Sequence, residues 1–321
     1  MSEKKGRPLL DLYITHWTEP WEIGDTGLEM IRRQRCVDWS QVRITIVHDG
    51  SEPYVQGYFD DHYPCEIRQA CIPHGGIARA RNWCIDHSEA EWIKWNDFDD
   101  TFCSLYALRS ILDSLKAAQE YDLLWFDVYA EVDGMRYAKT ERDPVVLHGK
   151  VFRRSFIQEK GLRFKEDLTW CEDSAFLAVL EMEIDVQRIG KIVTDAPIYA
   201  WICRDGSLCN RPEIKFANLK SFFERHCYVQ EEFKRRGKIN EYHAMTARVL
   251  ADSYFTLKLA GVTEDMSEHE QAVRKYYQEH RKELLRLTNG LFMQVLDAVN
   301  RENQCNITKE AFTEWLRSLR D

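Results

Sequence analysis

The chain has 321 residues, 44% of them hydrophobic, enough to bury a sizeable core, and its net charge of −9 argues against broad attraction to nucleic acid or an anionic membrane surface. No apolar run approaches the roughly 18 residues of a membrane span, and the charged start followed by a short strand-like run lacks a signal-peptide core, so a cytoplasmic location is expected. The 10 cysteines are scattered singly without a C-x-x-C pair, as expected of reduced thiols rather than a disulfide framework or a structural zinc site.

In chain order, LLDLYITHW (9–17) and QVRITIVHDG (41–50) are rich in β-formers and end in polar residues, while GLEMIRRQRCV (27–37) between them has helical spacing. That combination predicts a βαβ unit. CEIRQACIPHGG (65–76) predicts a short strand closing in Gly-Gly, IARARNWCIDHS (77–88) a helix, and EWIKWND (91–97) a strand. A helix over about 104–119 follows, then YDLLWFDVYAEVDG (121–134) as a strand leading into a hairpin, and KIVTDAPIYAWICR (191–204) as late strand. The alternation predicts an α/β fold, a mostly parallel sheet with helices on both faces. From about Pro212 long helical segments take over, with Gly237 and Gly261 as stops, so residues 1–210 are expected to form an α/β domain and 211–321 an all-helical one. The acidic excess lies in the first of these.

In an open parallel sheet, ligands gather at the carboxyl ends of the strands. Four polar clusters fall there: Thr15-His16-Trp17, His48-Asp49-Gly50-Ser51, His74-Gly75-Gly76 and Asp97-Phe98-Asp99-Asp100. Each alone reads equally as loop chemistry, but together they would line one crevice. Three carboxylates at one strand end repel one another and resist burial, so they call for a metal ion, a basic partner or plain solvent. Asp100 reads equally as the cap of the following helix, and Asp173 in WCEDSAF as the cap of another. The remaining histidines show no H-x-x-H spacing and carry no metal signal.

VHDGS, GGIARARN, NDFDD and HGKVFRRSFIQEKGLRFKEDLTWCEDSAF occur in that order within roughly residues 9–210. They resemble the family 2 glycosyltransferases of GT-A (Rossmann-like) fold, whose pattern runs Asp-Asp-Gly-Ser, Gly-x-x-x-Ala-Arg-Asn, Asp-x-Asp-Asp and Glu-Asp-Ser. YITHWTEPWE and IPHGGIARARN are similar to a branch of that family met in bacteriophage genomes. The resemblance implies metal-assisted, inverting transfer of a monosaccharide from a nucleotide-diphosphate sugar to an acceptor hydroxyl. It places Mn²⁺ or Mg²⁺ on Asp99, with Asp97 toward the ribose or a metal-bound water. Thr15 and Asp49 would meet the nucleobase, Asp49 accepting a ring N–H, which favours a UDP-sugar. His74, where an Asn commonly precedes the glycine, falls at the nucleotide, as does Arg81, for which a plain ion pair with Asp97 or Asp100 is the alternative. Arg204 and Ser207 in YAWICRDGS would grip the leaving diphosphate. Asp173 would be the base, and Glu172 would orient it or bind the acceptor. His48 stands where the family has the first Asp of its Asp-Asp-Gly-Ser. The acceptor, whether a polysaccharide, a protein or a hydroxymethylated DNA base, is not specified by these motifs. The alternative from another class is a catalytically silent glycan- or partner-binding module on the same fold.

Overall fold

The computed structural model describes residues 7–60, 62–132, 135–139, 146–168, 170–203, 214–263 and 265–320. Contacts divide the chain into two units, Met1–Asn210 and Arg211–Asp321. In the first, a seven-stranded sheet is built from β1 (Leu10–His16), β2 (Val42–Asp49), β3 (Ile67–Ile72), β4 (Trp92–Asp97), β6 (Leu123–Phe126), β9 (Lys150–Arg153) and β10 (Ile189–Ile192). Their spatial order is 10-6-9-4-1-2-3. β1 pairs in parallel with β2 and β4, β2 with β3, and β10 with β6, while β9 runs antiparallel to both neighbours. A smaller sheet holds β5 (Thr101–Phe102), β11 (Tyr199–Cys203), β7 (Val128–Val132) and β8 (Met135–Lys139), in that order. Helices α1 (Trp21–Arg32), α2 (Ile77–His87), α3 (Ala107–Ala117), α4 (Arg154–Glu159) and α5 (Glu172–Glu183) connect the strands. The expected α/β architecture with a mostly parallel sheet is the one found.

The central strands read as continuous apolar runs because both faces are covered: every residue of β1 is buried, and Leu12, Ile44, Ile46 and Trp92 are fully buried in one core with Leu108 and Ile111 of α3. At the amino-terminal edge of the sheet, Asp11 accepts from Arg43 Nε and Nη2 (2.7 Å each), Ser88 Oγ (2.6 Å) and the Glu89 and Ala90 amides (2.9 and 3.0 Å). That carboxylate is therefore buried without an unmet hydrogen bond.

Three boundaries differ from the sequence pattern. The first helix spans Trp21–Arg32 rather than 27–37, since Pro20 (φ −56°) sets its start and Cys36 adopts a left-handed conformation beyond its end. The run 121–134 splits into β6 and β7, which join different sheets on either side of Asp127. The run 191–204 likewise divides between β10 and β11, with Pro197 in the break, where a missing N–H interrupts pairing.

The second unit contains α6 (Ile214–Arg235), α7 (Ile239–Lys258), α8 (Ser267–Leu284), α9 (Asn289–Asn303) and α10 (Lys309–Ser318). Its core joins Leu250 of α7, Val273 of α8, Val299 of α9 and Phe312 of α10, all fully buried. Thr288 and Thr308 cap α9 and α10 by accepting from Leu291 N and Ala311 N. Gly237 and Gly261 take positive φ after α6 and α7, where a Cβ would be strained. Among the described residues no helix is long and apolar enough to cross a membrane.

One close approach shapes the carboxyl edge of the sheet. A Cβ on Gly27 would stand 2.5 Å from the Asp100 carbonyl oxygen, and one on Gly24 would stand 2.1 Å from the Phe98 ring, so α1 lies against the Asp97–Asp100 turn only because both residues lack side chains. Gly27→Ala is therefore expected to cost about 1–3 kcal/mol in urea unfolding, as overpacking against backbone does. Gly290→Ala, whose Cβ meets nothing within 4 Å, is expected to be neutral or stabilising by up to about 1 kcal/mol.

Candidate active site

Parallel register brings the polar clusters to one edge: Thr15 lies beside Asp97, His16 beside His48, and Asp49 beside Ile72. Asp49 is buried, and it organises the loop into α2. Its Oδ1 accepts from Gly75 N and its Oδ2 from Gly76 N, both at 2.8 Å, with His74 Nδ1 3.0 Å from Oδ2. Gly50 permits this because its φ is +78° and a Cβ there would stand 2.6 Å from His74 Cβ. The half-exposed His74 ring stacks on the exposed Trp17, centroids 4.9 Å apart and planes 10° from parallel. Thr15 Oγ1 is buried without a hydrogen-bond partner among the described residues.

His48 faces inward. Its Nδ1 is 3.0 Å from His16 Nδ1 and its Nε2 is 3.1 Å from Gln69 Oε1, while Ser51 Oγ is 2.9 Å from His16 Nδ1. Burial lowers both imidazole pKa values, that of His48 to about 4, where a proton on the neighbouring His16 ring would repel a second, so both rings are neutral at pH 7. The position where the resemblant family carries an acid is here spent on internal packing.

The acid cluster is cross-braced. Arg81 of α2 is buried; it donates from Nη2 to Asp97 Oδ1 at 3.0 Å and from Nη1 to Glu172 Oε1 at 2.7 Å. This is the ion-pair role, extended to a carboxylate of another element. Asn82 beside it donates to the Phe164 carbonyl and Glu166 Oε1 and accepts from Phe164 N, which pins the segment leading to α5. Asp100 caps no helix, because α3 begins at Ala107. Its carboxylate accepts instead from the Tyr199 hydroxyl (2.7 Å) and Ile202 N (2.9 Å). Burial and the charges of Asp97 and Asp99 push its pKa well up. Burial acts on Asp97 in the same sense, but Arg81 and His148 outweigh it and hold that carboxyl below the usual range.

α5 starts at Glu172, and the capping position belongs to Cys171, a non-glycine residue with φ 65° whose side chain makes no cap. Asp173 lies one residue inside the helix, and its Oδ1 accepts from Ser174 N at 2.7 Å. Burial and the neighbouring Glu172 charge raise its pKa to about 6, against the pull of Arg81. A carboxylate poised there is matched to proton transfer near neutral pH.

The family resemblance implies a metal on Asp99, with Asp97 toward the ribose or a metal-bound water. Among the described residues, the group able to present three ligand atoms within 4.8 Å of one another is Asp97, Asp100 and His148, with Asp99 on the intervening turn. His148 Nε2 lies 3.5 Å from Asp97 Oδ2 and from Asp100 Oδ2. Sequence reasoning missed this histidine. The signal available was its place in HGKV, just before β9, where Gly149 (φ +72°) turns the chain tightly against the Phe126 carbonyl. Arg204 and Ser207 lie outside the described residues.

No protein-family profile and no curated protein sequence matches the chain. Solved structures do share its fold. S. aureus TarS 1-349 in complex with UDP-GlcNAc aligns with a TM-score of 0.60 at 15% identity over 93% of each chain. The same protein with UDP gives 0.57 at 14% over 94% of each. A further TarS structure gives 0.59 at 15% identity, and there the match covers 92% of this chain but 53% of the other, so the chain spans about half its length.

Because Arg81 is the cation shared by Asp97 and Glu172, Arg81→Met is expected to destabilise the protein by about 3 kcal/mol or more, the usual cost of stranding buried charge. Arg81→Lys is expected to recover only part, since one ammonium cannot reproduce the fork. Urea midpoints of the two variants check both statements.

Proposed function

We propose that the protein is a glycosyltransferase that moves a monosaccharide from a UDP-sugar to an acceptor hydroxyl with inversion, residues 1–210 forming the catalytic domain. The observation that carries this reading is Asp173, a carboxylate with pKa about 6 that lies next to the Arg81–Glu172 pair in sequence and feels the charges of Glu172, Arg81 and His148. TarS, which shares the fold, has been solved with UDP and with UDP-GlcNAc, which supports a nucleotide-sugar donor.

In this reading the base meets Thr15 Oγ1 and the Trp17–His74 shelf. Asp49 Oδ1, with one amide donor, retains a lone pair for the N3–H of uracil. Asp173 takes the acceptor proton on Oδ2, the oxygen not engaged by Ser174 N, as the acceptor oxygen bonds to the anomeric carbon and the nucleoside diphosphate departs with its bonding electrons. Glu172 and Arg81 hold α5 at the height this requires, and Arg204 and Ser207 grip the departing diphosphate. Asp97, Asp100 and His148 would hold a divalent cation: the imidazole nitrogen stands 3.5 Å from an oxygen of each carboxylate, and the three donor atoms lie within 4.8 Å of one another. With an imidazole in the set, Mn²⁺ is preferred over Mg²⁺. When bound, such an ion supplies positive charge for the leaving diphosphate.

Purified protein incubated with a panel of nucleotide sugars and analysed by mass for released nucleotide and glycosylated product tests the reading. Asp173→Asn is expected to lose about 10²-fold or more in turnover while keeping UDP affinity, because an amide cannot accept the proton. In the wild type, kcat/KM is expected to fall about tenfold per pH unit below about pH 6, where Asp173 becomes protonated, and to level off above it. Chelator should abolish turnover and Mn²⁺ restore it. Wild-type turnover in Asp173→Asn would leave the mechanism without its base, and tighter calorimetric binding of GDP, ADP or CDP than of UDP would overturn the donor.

A further inference from the structure

The run RRQR (32–35) at the end of α1 takes no part in the acid cluster or in the nucleotide edge of the sheet. Arg32, Arg33, Gln34 and Arg35, with Leu105 from the segment before α3, line a cavity of about 410 Å³, within the size range of small-molecule sites. Like charges so close on one helix end repel one another. Glu29 answers part of that charge: Arg32 donates to it from Nε and Nη2 (2.6 and 2.7 Å) and Arg33 from Nε (2.6 Å). Among the described residues the Nη groups of Arg33 and the whole Arg35 guanidinium have no partner. Three arginines against one glutamate leave a local excess of two positive charges on a chain of net charge −9. Basic side chains in a last helical turn commonly bond the free carbonyls there. Here other groups do so: Glu29 O accepts from Arg33 N, Ile31 O from Gln34 N, and Met30 O from Gln34 Nε2. Gln34 is buried and saturated, since Nε2 also donates to Ser104 O (2.7 Å) and Oε1 accepts from Leu108 N (2.9 Å). Arg35 N donates to Leu105 O at 2.7 Å, so the two walls of the cavity are fastened together beneath the guanidiniums.

We propose that this cavity is a binding site for an organic phosphate, its phosphate group held between Arg33 and Arg35 and the group that carries it lying on Leu105. Guanidinium forks match the oxygens of a phosphate in both charge and geometry. The volume exceeds what a phosphate ion fills, and Leu105, 37% exposed, offers apolar surface to the carrier. The site is separate from the acid cluster: Gly27 stands against the Asp100 carbonyl, and Arg33 follows six residues later, about 9 Å along the helix axis. Neither the donor reading nor the metal reading given above enters into it.

The test is calorimetric titration with inorganic phosphate and with phenyl phosphate. Chelator is present so that no cation at the acid cluster recruits the anion, and salt at about 0.15 M screens plain surface charge. The wild type is expected to bind both probes, phenyl phosphate more tightly. Arg35→Gln is expected to lose about tenfold or more in affinity for both, and the Arg33→Gln, Arg35→Gln double variant to bind neither. Arg35→Lys should fall between wild type and Arg35→Gln, because an ammonium cannot offer the fork. Leu105→Ser is expected to remove the advantage of phenyl phosphate and leave inorganic phosphate unchanged. These side chains are exposed, so urea midpoints are expected to stay at the wild-type value, which separates lost binding from lost folding. UDP affinity, measured in Mn²⁺, is expected to be the same in the double variant as in the wild type. Equal affinity of the wild type for the two probes overturns the organic carrier. Absence of phosphate binding in the wild type, binding indifferent to both arginines, or loss of phosphate and UDP binding together overturns the proposal. Binding seen only in salt-free buffer is an adventitious ion only, and overturns it as well.

Discussion

The guanidinium of Arg81 ties the end of β4 to the start of α5, Asp97 and Glu172 being 75 positions apart in the chain. No backbone pairing links them. A planar fork with fixed donor directions sets both distance and angle between its acceptors, and it stays charged at every accessible pH. The next residue, Asn82, fastens Phe164 and Glu166 to the same helix. α2 thus acts as the hub from which the acid cluster and the helix carrying Asp173 are both positioned, and the amides of Gly75 and Gly76 before it fasten that hub to Asp49 at the end of β2.

Around this hub the carboxylates are sorted by what each one faces. Asp97 looks at Arg81 and is kept ionised, Asp100 looks at two other acids from a buried position and resists ionisation, and Asp173 lies between these extremes. Groups of one chemical type acquire different proton affinities from burial and neighbouring charge. An environment that separates them in this way can assign one acid to binding and another to proton transfer.

Much of the fold was legible because parallel strands buried on both faces leave continuous apolar runs, and each run ended in the polar residues that now line the edge. Thr15, Asp49 and Asp97 were readable for that reason. His148 was not, because it precedes a strand that runs antiparallel to its neighbours, so its upstream end is the one that reaches the site. An apolar run four residues long carries no mark of its direction. Lys94 was equally silent: a lysine inside EWIKWND reads as an outward-facing strand position, and only the second sheet, with Tyr199 laid over it, makes the position an interior one. The splitting of 121–134 between two sheets is likewise a tertiary outcome that periodicity alone does not contain.

The Asp11 clamp at the opposite edge has a consequence for how the molecule breathes. There, Asp11, Arg43, Ser88 and the Glu89 and Ala90 amides close the ends of β1, β2 and β4 in one saturated network. At the carboxyl edge the same strands finish beside Thr15 Oγ1, Asn96 Oδ1 and Arg81 Nε, polar atoms with nothing to bind among the described residues. Each strand is therefore saturated at one end, while the other end, though bonded through Asp49 and Arg81, keeps buried polar atoms in reserve. Local opening will begin at the carboxyl edge and stall before the clamp, giving a gradient of amide exchange along each strand, slow near Asp11 and faster toward Thr15.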